Sequence, residues 1–193
     1  MKLKTAVGCI PLLALAMVGC TQQSTGQSGK KTTTTSVQSN VDFTSIPGQF
    51  PTPGALTSVG ETRAPVGACV TMSGDLNNTQ LETAECTSLQ ANYRVIQRVS
   101  TPDQCVADAD RRFYENSPQG QYTACLDIVW DGKDCYALEK FIRRVACAQS
   151  SGQQLQKPVK LITSTTNAND CPNDGAVFPH PVRRFTVCMQ TQK

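Results

Sequence analysis

Histidine and tryptophan each occur once in the 193 residues, and aromatic side chains make up only 6%. One histidine excludes metal sites built from several imidazoles. It also leaves any Ser-His hydrolase dependent on His180, which sits in Phe178-Pro179-His180-Pro181, where flanking prolines predict a rigid surface loop. There is no Gly-x-Ser-x-Gly elbow, phosphate-binding glycine loop or His-Glu-x-x-His helix. None of the ten cysteines forms Cys-x-x-Cys, which argues against a zinc ribbon and a thioredoxin-type redox pair. Surplus charge is small. The formal +3 falls to +1, 16 basic against 15 acidic residues, once Lys2 and Lys4 are set aside with the leader they belong to, and nothing suggests nucleic acid. After Cys20 no run approaches the ~18 apolar residues of a membrane helix.

What is present begins with an export signal. Met1-Lys2-Leu3-Lys4 gives a positive start and residues 5–17 a short apolar stretch, followed by Met17-Val18-Gly19-Cys20. That tetrad is similar to the bacterial lipobox, with Met17 where leucine is usual. The expected organisation is a lipoprotein signal peptide over residues 1–19 and a lipid-bearing Cys20, acylated for example with palmitate. More than one acyl chain suffices for stable anchoring, here to the outer face of the cell membrane. Residues 20–58, rich in Thr, Ser, Gln, Gly and Pro, read as a flexible tether unable to bury a core. Val41, Phe43 and Ile46 are the residues that would shorten it by docking.

The remaining eight cysteines fall into two sets of four: Cys69, Cys86, Cys105, Cys125 and Cys135, Cys147, Cys171, Cys188. Local sequence matches in the same cysteine register. Tyr93-Arg94-Val95-Ile96-Gln97 lies over Val159-Lys160-Leu161-Ile162-Thr163, Pro102-Asp103-Gln104 over Ala168-Asn169-Asp170, and Tyr122-Thr123-Ala124-Cys125-Leu126 over Phe185-Thr186-Val187-Cys188-Met189. We therefore expect an α+β, β-rich fold of two tandem disulfide-stapled repeats, residues 59–130 and 131–193. Each would comprise a hairpin, a strand, a helix and a strand. In the first repeat the hairpin runs from Cys69 to Cys86 and the next strand from Tyr93 to Val99. Thr101 and Pro102 then start a helix carrying Cys105, Ala109 and Phe113, and the last strand bears Cys125. Four cysteines permit three pairings per repeat. First with second and third with fourth is expected, because hairpin ends are adjacent and a helix following a strand packs on its sheet.

Val66-Gly67-Ala68-Cys69-Val70, Glu85-Cys86, Cys125-Leu126-Asp127-Ile128-Val129-Trp130 and Arg183-Arg184-Phe185-Thr186-Val187-Cys188, in that order, resemble the actinobacterial LppU-type lipoproteins known in mycobacteria. Where that family commonly has Gly-Asp-Cys, this chain has Gly67-Ala68-Cys69. The resemblance implies a cell-envelope lipoprotein and transfers no catalytic residue.

Candidate ligand-binding residues are few. Arg111, Arg112, Arg143, Arg144, Arg183 and Arg184 form three pairs that would suit an anionic ligand such as a phospholipid headgroup or cell-wall phosphate. Trp130 falls at the junction of the repeats, a favoured place for a binding seam. Asp108 and Asp110, and Asp127, Asp131 and Asp134, do not follow the EF-hand spacing. Asp131-Gly132-Lys133-Asp134 and the Asn167 to Asp174 stretch read as turns. No catalytic residue, metal or cofactor is expected. The functional expectation is a non-catalytic binding or scaffolding module of the envelope, with an envelope protein or cell-wall ligand as partner; the alternative is an envelope thiol oxidoreductase or other small envelope enzyme.

Overall fold

Alternating apolar residues turn the cysteine-rich part into strands. The computed structural model describes residues 41–75, 77–149 and 154–193; the leader, Cys20 and the tether up to residue 40 lie outside the described residues. One sheet contains β1 (Cys69–Gly74), β2 (Thr79–Ala84), β3 (Tyr93–Val99), β4 (Arg111–Ser117) and β5 (Gly120–Ile128), in the order β2-β1-β3-β5-β4. The second contains β6 (Cys135–Ala137), β7 (Arg143–Val145), β8 (Gln156–Thr163), β9 (Val177–His180) and β10 (Phe185–Thr191), in the order β7-β6-β8-β10-β9. All strand pairings within them are antiparallel.

Side chains two apart on a strand share a face. Val70 and Met72, Tyr93 and Val95, Ala124, Leu126 and Ile128, and on the second sheet Phe185, Val187 and Met189, therefore meet in one core. The residues out of phase serve the bridges. Cys125, next to Ala124 and Leu126, faces a satellite cluster of Ile96, Val99, Cys105 and Ala109. The disulfides are Cys69–Cys86, Cys105–Cys125, Cys135–Cys147 and Cys171–Cys188, the pairing expected from adjacency, and their Cα–Cα distances of 4.9–5.6 Å are ordinary. Loops of this length are constrained in the unfolded chain by about 3 kcal/mol each.

The expected helix after Thr101 is not formed, and the described residues contain no α-helix. Thr101 and Pro102 do begin a turn, and the Gln104 side chain accepts hydrogen bonds from the Ser100 and Thr101 N–H groups. The turn closes after Pro102–Gln104 as a 3₁₀ helix. Helical spacing of Cys105, Ala109 and Phe113 is misleading, because Phe113 enters the main core while Cys105 and Ala109 sit in the satellite cluster on the other face. Phe113 reaches the core from β4, paired with Ala124 of β5. A second difference concerns register. Tyr93 pairs with Val70 and Ile128, and the residue in its sheet position is Gln156, which pairs with Tyr136 and Thr191. The match of Tyr93 with Val159 is thus displaced by three residues.

Residues 41–58 are not tether. Phe43 and Ile46, each 6% exposed, belong to the main core, Leu56 N–H donates to the Arg98 carbonyl, and Ala55 bridges Arg98 in parallel. Three apolar side chains in a polar segment were enough to bring it onto the sheets. Phe43→Ala is therefore expected to lower stability by about 3 kcal/mol, the usual cost of emptying a buried phenyl site, measured by urea unfolding with disulfides intact. A change under ~0.5 kcal/mol would return this segment to the tether.

Candidate functional site

The turn that follows the first 3₁₀ helix delivers Asp108 and Asp110 to the seam between the sheets, and β5 delivers Asp127. From the second sheet come His180, the last residue of β9, and Arg183 in the turn to β10. Pro181 starts that turn, and it closes when Arg184, at φ 61°, donates its N–H to the His180 carbonyl at 2.7 Å. The Val182 and Arg183 N–H groups donate to Asp108 Oδ2 at 2.8 and 3.0 Å.

Arg183 uses all five of its N–H donors. Nε donates to Asp108 Oδ1 at 2.8 Å, Nη1 to Asp127 Oδ2 at 2.5 Å and the Gln49 carbonyl at 2.9 Å, and Nη2 to the Asp108 carbonyl at 2.7 Å and Asp127 Oδ1 at 3.0 Å. His180 lies 3.2 Å from Asp110 Oδ1 through Nε2 and stacks on Phe185 at 4.0 Å between centroids. It is 1% exposed, which overturns the surface loop expected from its prolines. Those prolines instead fix the edge strand and turn that carry it inward.

Burial and the adjacent Asp110 carboxylate push Asp127 up to about 6 against the pull of Arg183. Burial acts on Asp108 in the same sense, but hydrogen bonds and charge from Arg183 outweigh it and hold Asp108 below the usual carboxylate range. Donor atoms of Asp110, Asp127 and His180 lie within 4.8 Å of one another, a spacing at which a divalent cation is held. Here they are already engaged: Asp110 accepts from Ile128 N–H at 2.9 Å and Asp127 accepts twice from Arg183. The guanidinium supplies the positive charge a metal would bring.

The arginine pairs have separate fates. Arg183 and Arg144, with side chains 4% and 1% exposed, are turned to internal carboxylates. Arg144 Nη2 donates to Asp134 at 2.6 Å, and Nη1 to the Cys86, Ser88 and Ala91 carbonyls at 3.0–3.2 Å. Arg143 pairs with Glu139, and Arg111, Arg112 and Arg184 donate to carbonyls of Lys140, of Pro102, Val106 and Ala107, and of Ser164. Trp130 is 5% exposed and packs against Phe178 and Tyr136, at 5.0 and 5.5 Å. It lines a cavity of about 440 Å³ together with Phe43, Leu89, Arg94, Lys133 and Arg144. All eight cysteines expected to be bridged are bridged. In sequence the members of the Asp108–Asp110–Asp127–His180–Arg183 cluster fall into other groups, Asp108 with Asp110, Asp127 with Asp131 and Asp134, and Arg183 with Arg184, with His180 alone. No local pattern joins residues 56–75 positions apart.

Arg183→Gln is expected to cost about 3–5 kcal/mol in urea unfolding, since it leaves two buried carboxylates uncompensated. The two carboxylates also set opposite pH dependences. Asp108, held low, contributes stability above its unfolded value near 3.8 that is lost on acidification. Asp127, held high, contributes stability that is complete below 3.8 and lost as pH climbs through about 6. Unfolding midpoints between pH 3 and 8 should thus peak on the acidic side of neutrality, with Asp127→Asn flattening the decline above the peak. A midpoint that keeps rising through pH 7 would contradict the assignment for Asp127. No protein-family model, curated protein or solved structure matches this chain.

Proposed function

We propose that this chain is an extracytoplasmic lipoprotein, held by Cys20 on the outer face of the cell membrane, whose folded part is a non-catalytic binding or scaffolding module of the actinobacterial LppU type. The observation that carries this reading is the closure of all eight cysteines of the folded part into four bridges, which suits an oxidising compartment and leaves no thiol nucleophile there. The sole imidazole is stacked in the core beside Asp110, with Arg183 close by, a position that makes it a structural group and not a general base presented to substrate. Among the described residues no helix is long and apolar enough to cross a membrane.

The module is a tandem pair of one unit. Identical strand order in the two sheets supports this, as does the placement of one bridge across each hairpin and one between each Cys105- or Cys171-capped 3₁₀ turn and the second strand after it, β5 or β10. Further support comes from the register shifts. The β3–β5 ladder passes from Val95–Leu126 to Gln97–Cys125, and the β8–β10 ladder from Pro158–Met189 to Lys160–Cys188. Each shift sits beside the bridged cysteine, and its members differ by a constant 63 residues.

Two measurements test the proposal. Cys20→Ser in the full chain is expected to move the protein from membrane to soluble fractions, and its retention with membranes would sink the anchor. Mass spectrometry of the mature protein under denaturing, non-reducing conditions is expected to find no free thiol; two free or easily reduced cysteines would put the thiol oxidoreductase in place of the binding module.

A further inference from the structure

We infer that the cavity beside Trp130 is a binding site for a small organic anion, a carboxylate or phosphate joined to an apolar arm; this rests on the reading of the chain as a binding module and names the ligand class of that module. Its volume of about 440 Å³ lies within the range of small-molecule sites, roughly 300–1,000 Å³. The wall divides by chemistry. Phe43, Leu89, Val129 and Trp130 give an apolar side, with Leu89 left 41% exposed. Arg94, Lys133 and Arg144 give a cationic side, and the two carboxylates of the wall, Asp131 and Asp134, both face Arg144 at 3.6 and 2.6 Å. The Arg94 guanidinium and the Lys133 ammonium consequently have no carboxylate partner among the described residues.

Hydrogen bonding points the same way. Among the described residues, the buried side-chain nitrogens that are fixed donors and lack an acceptor are Arg94 Nε, Trp130 Nε1 and Arg144 Nε. The residues that carry them, Arg94, Trp130 and Arg144, all line this cavity. Trp130 is 5% exposed and the Arg144 side chain 1%, so bulk water does not satisfy them. A wall with unmet donors and positive charge, and no free carboxylate, selects a ligand rich in acceptors and negative in charge. An arginine fits the fork of a carboxylate or phosphate, and the aromatic and aliphatic side holds whatever that head carries.

Trp130 is the only tryptophan in the chain, so its fluorescence reports this site without a label. The mature protein would be titrated with decanoate, phenyl phosphate, decanol and inorganic phosphate. Decanoate or phenyl phosphate is expected to change Trp130 emission saturably, and which of them binds more tightly distinguishes an acyl from an aromatic arm. Arg94→Gln should weaken that binding at least tenfold. Its side chain makes no hydrogen bond or ion pair with another described residue, and an unchanged far-UV circular dichroism spectrum would verify the fold; Lys133→Gln, at an exposed position, provides a second variant with the same expected direction. Decanol binding as tightly as decanoate, or unchanged affinity in both variants, would overturn the anion. Inorganic phosphate binding as tightly as phenyl phosphate would overturn the apolar arm. No response to any of the four would overturn the site, while the thiol count and the Cys20 result would still decide the broader reading.

Discussion

The Arg183 guanidinium is the constraint on which the rest of the structure depends. It is a cation buried between two sheets that share an apolar core, and such a charge is tolerated only when every donor is met. Its five donors reach Asp108 in the turn before β4, Asp127 of β5 and the Gln49 carbonyl of the N-terminal segment, so one side chain fixes three parts of the chain at once. Moving any of them by an ångström would leave a charge unpaired in the interior. Apolar packing alone does not specify position in this way, because the Phe185, Val187 and Met189 face would accept several placements against Leu126 and Ile128.

Buried ion pairs are poor sources of net stability, and the disulfides offset that weakness. Each half is of a size at which a core is marginal alone. Two bridges per half restrict the unfolded chain, and burial of Phe43 and Ile46 adds apolar area that neither sheet supplies. Stability thus comes from bridges and core, and the relative placement of the sheets from the charged seam.

What could be read beforehand follows from how local each determinant is. Tyr93–Val99 is a strand rich in β-branched and aromatic residues and was legible to the residue; the bridges were legible because hairpin ends are neighbours in space whatever surrounds them. The helix was not, since its capping signals at Thr101, Pro102 and Gln104 are satisfied by a single turn, and β5 then claims residues 111–117 for its edge. Arg183 and His180 were misjudged for a related reason. A surface arginine and a buried one have the same neighbours in sequence, and only Asp108 and Asp127, more than fifty residues away, tell them apart. Trp130 lies between the last strand of the first sheet and the first strand of the second, but the cationic residues beside it are Arg94, which no sequence pattern marks, and Arg144, which the sequence only groups with Arg143.

The seam has a second arginine, and comparing the two explains why a cavity exists where it does. Arg144 reaches from β7 to the carbonyls of Cys86, Ser88 and Ala91 much as Arg183 reaches to Asp108 and Asp127. Arg183 is closed on itself, with five donors and five acceptors. Arg144 is not: Nη1 and Nη2 are met, but Nε lacks an acceptor, as does Trp130 Nε1 nearby in the same wall. The closed joint is filled by its own carboxylates, whereas the open one has aromatic and cationic walls and too few acceptors to fill it. An interior normally removes such deficits by packing or by pairing. Keeping one beside an otherwise complete joint accords with the small-anion site proposed for this cavity.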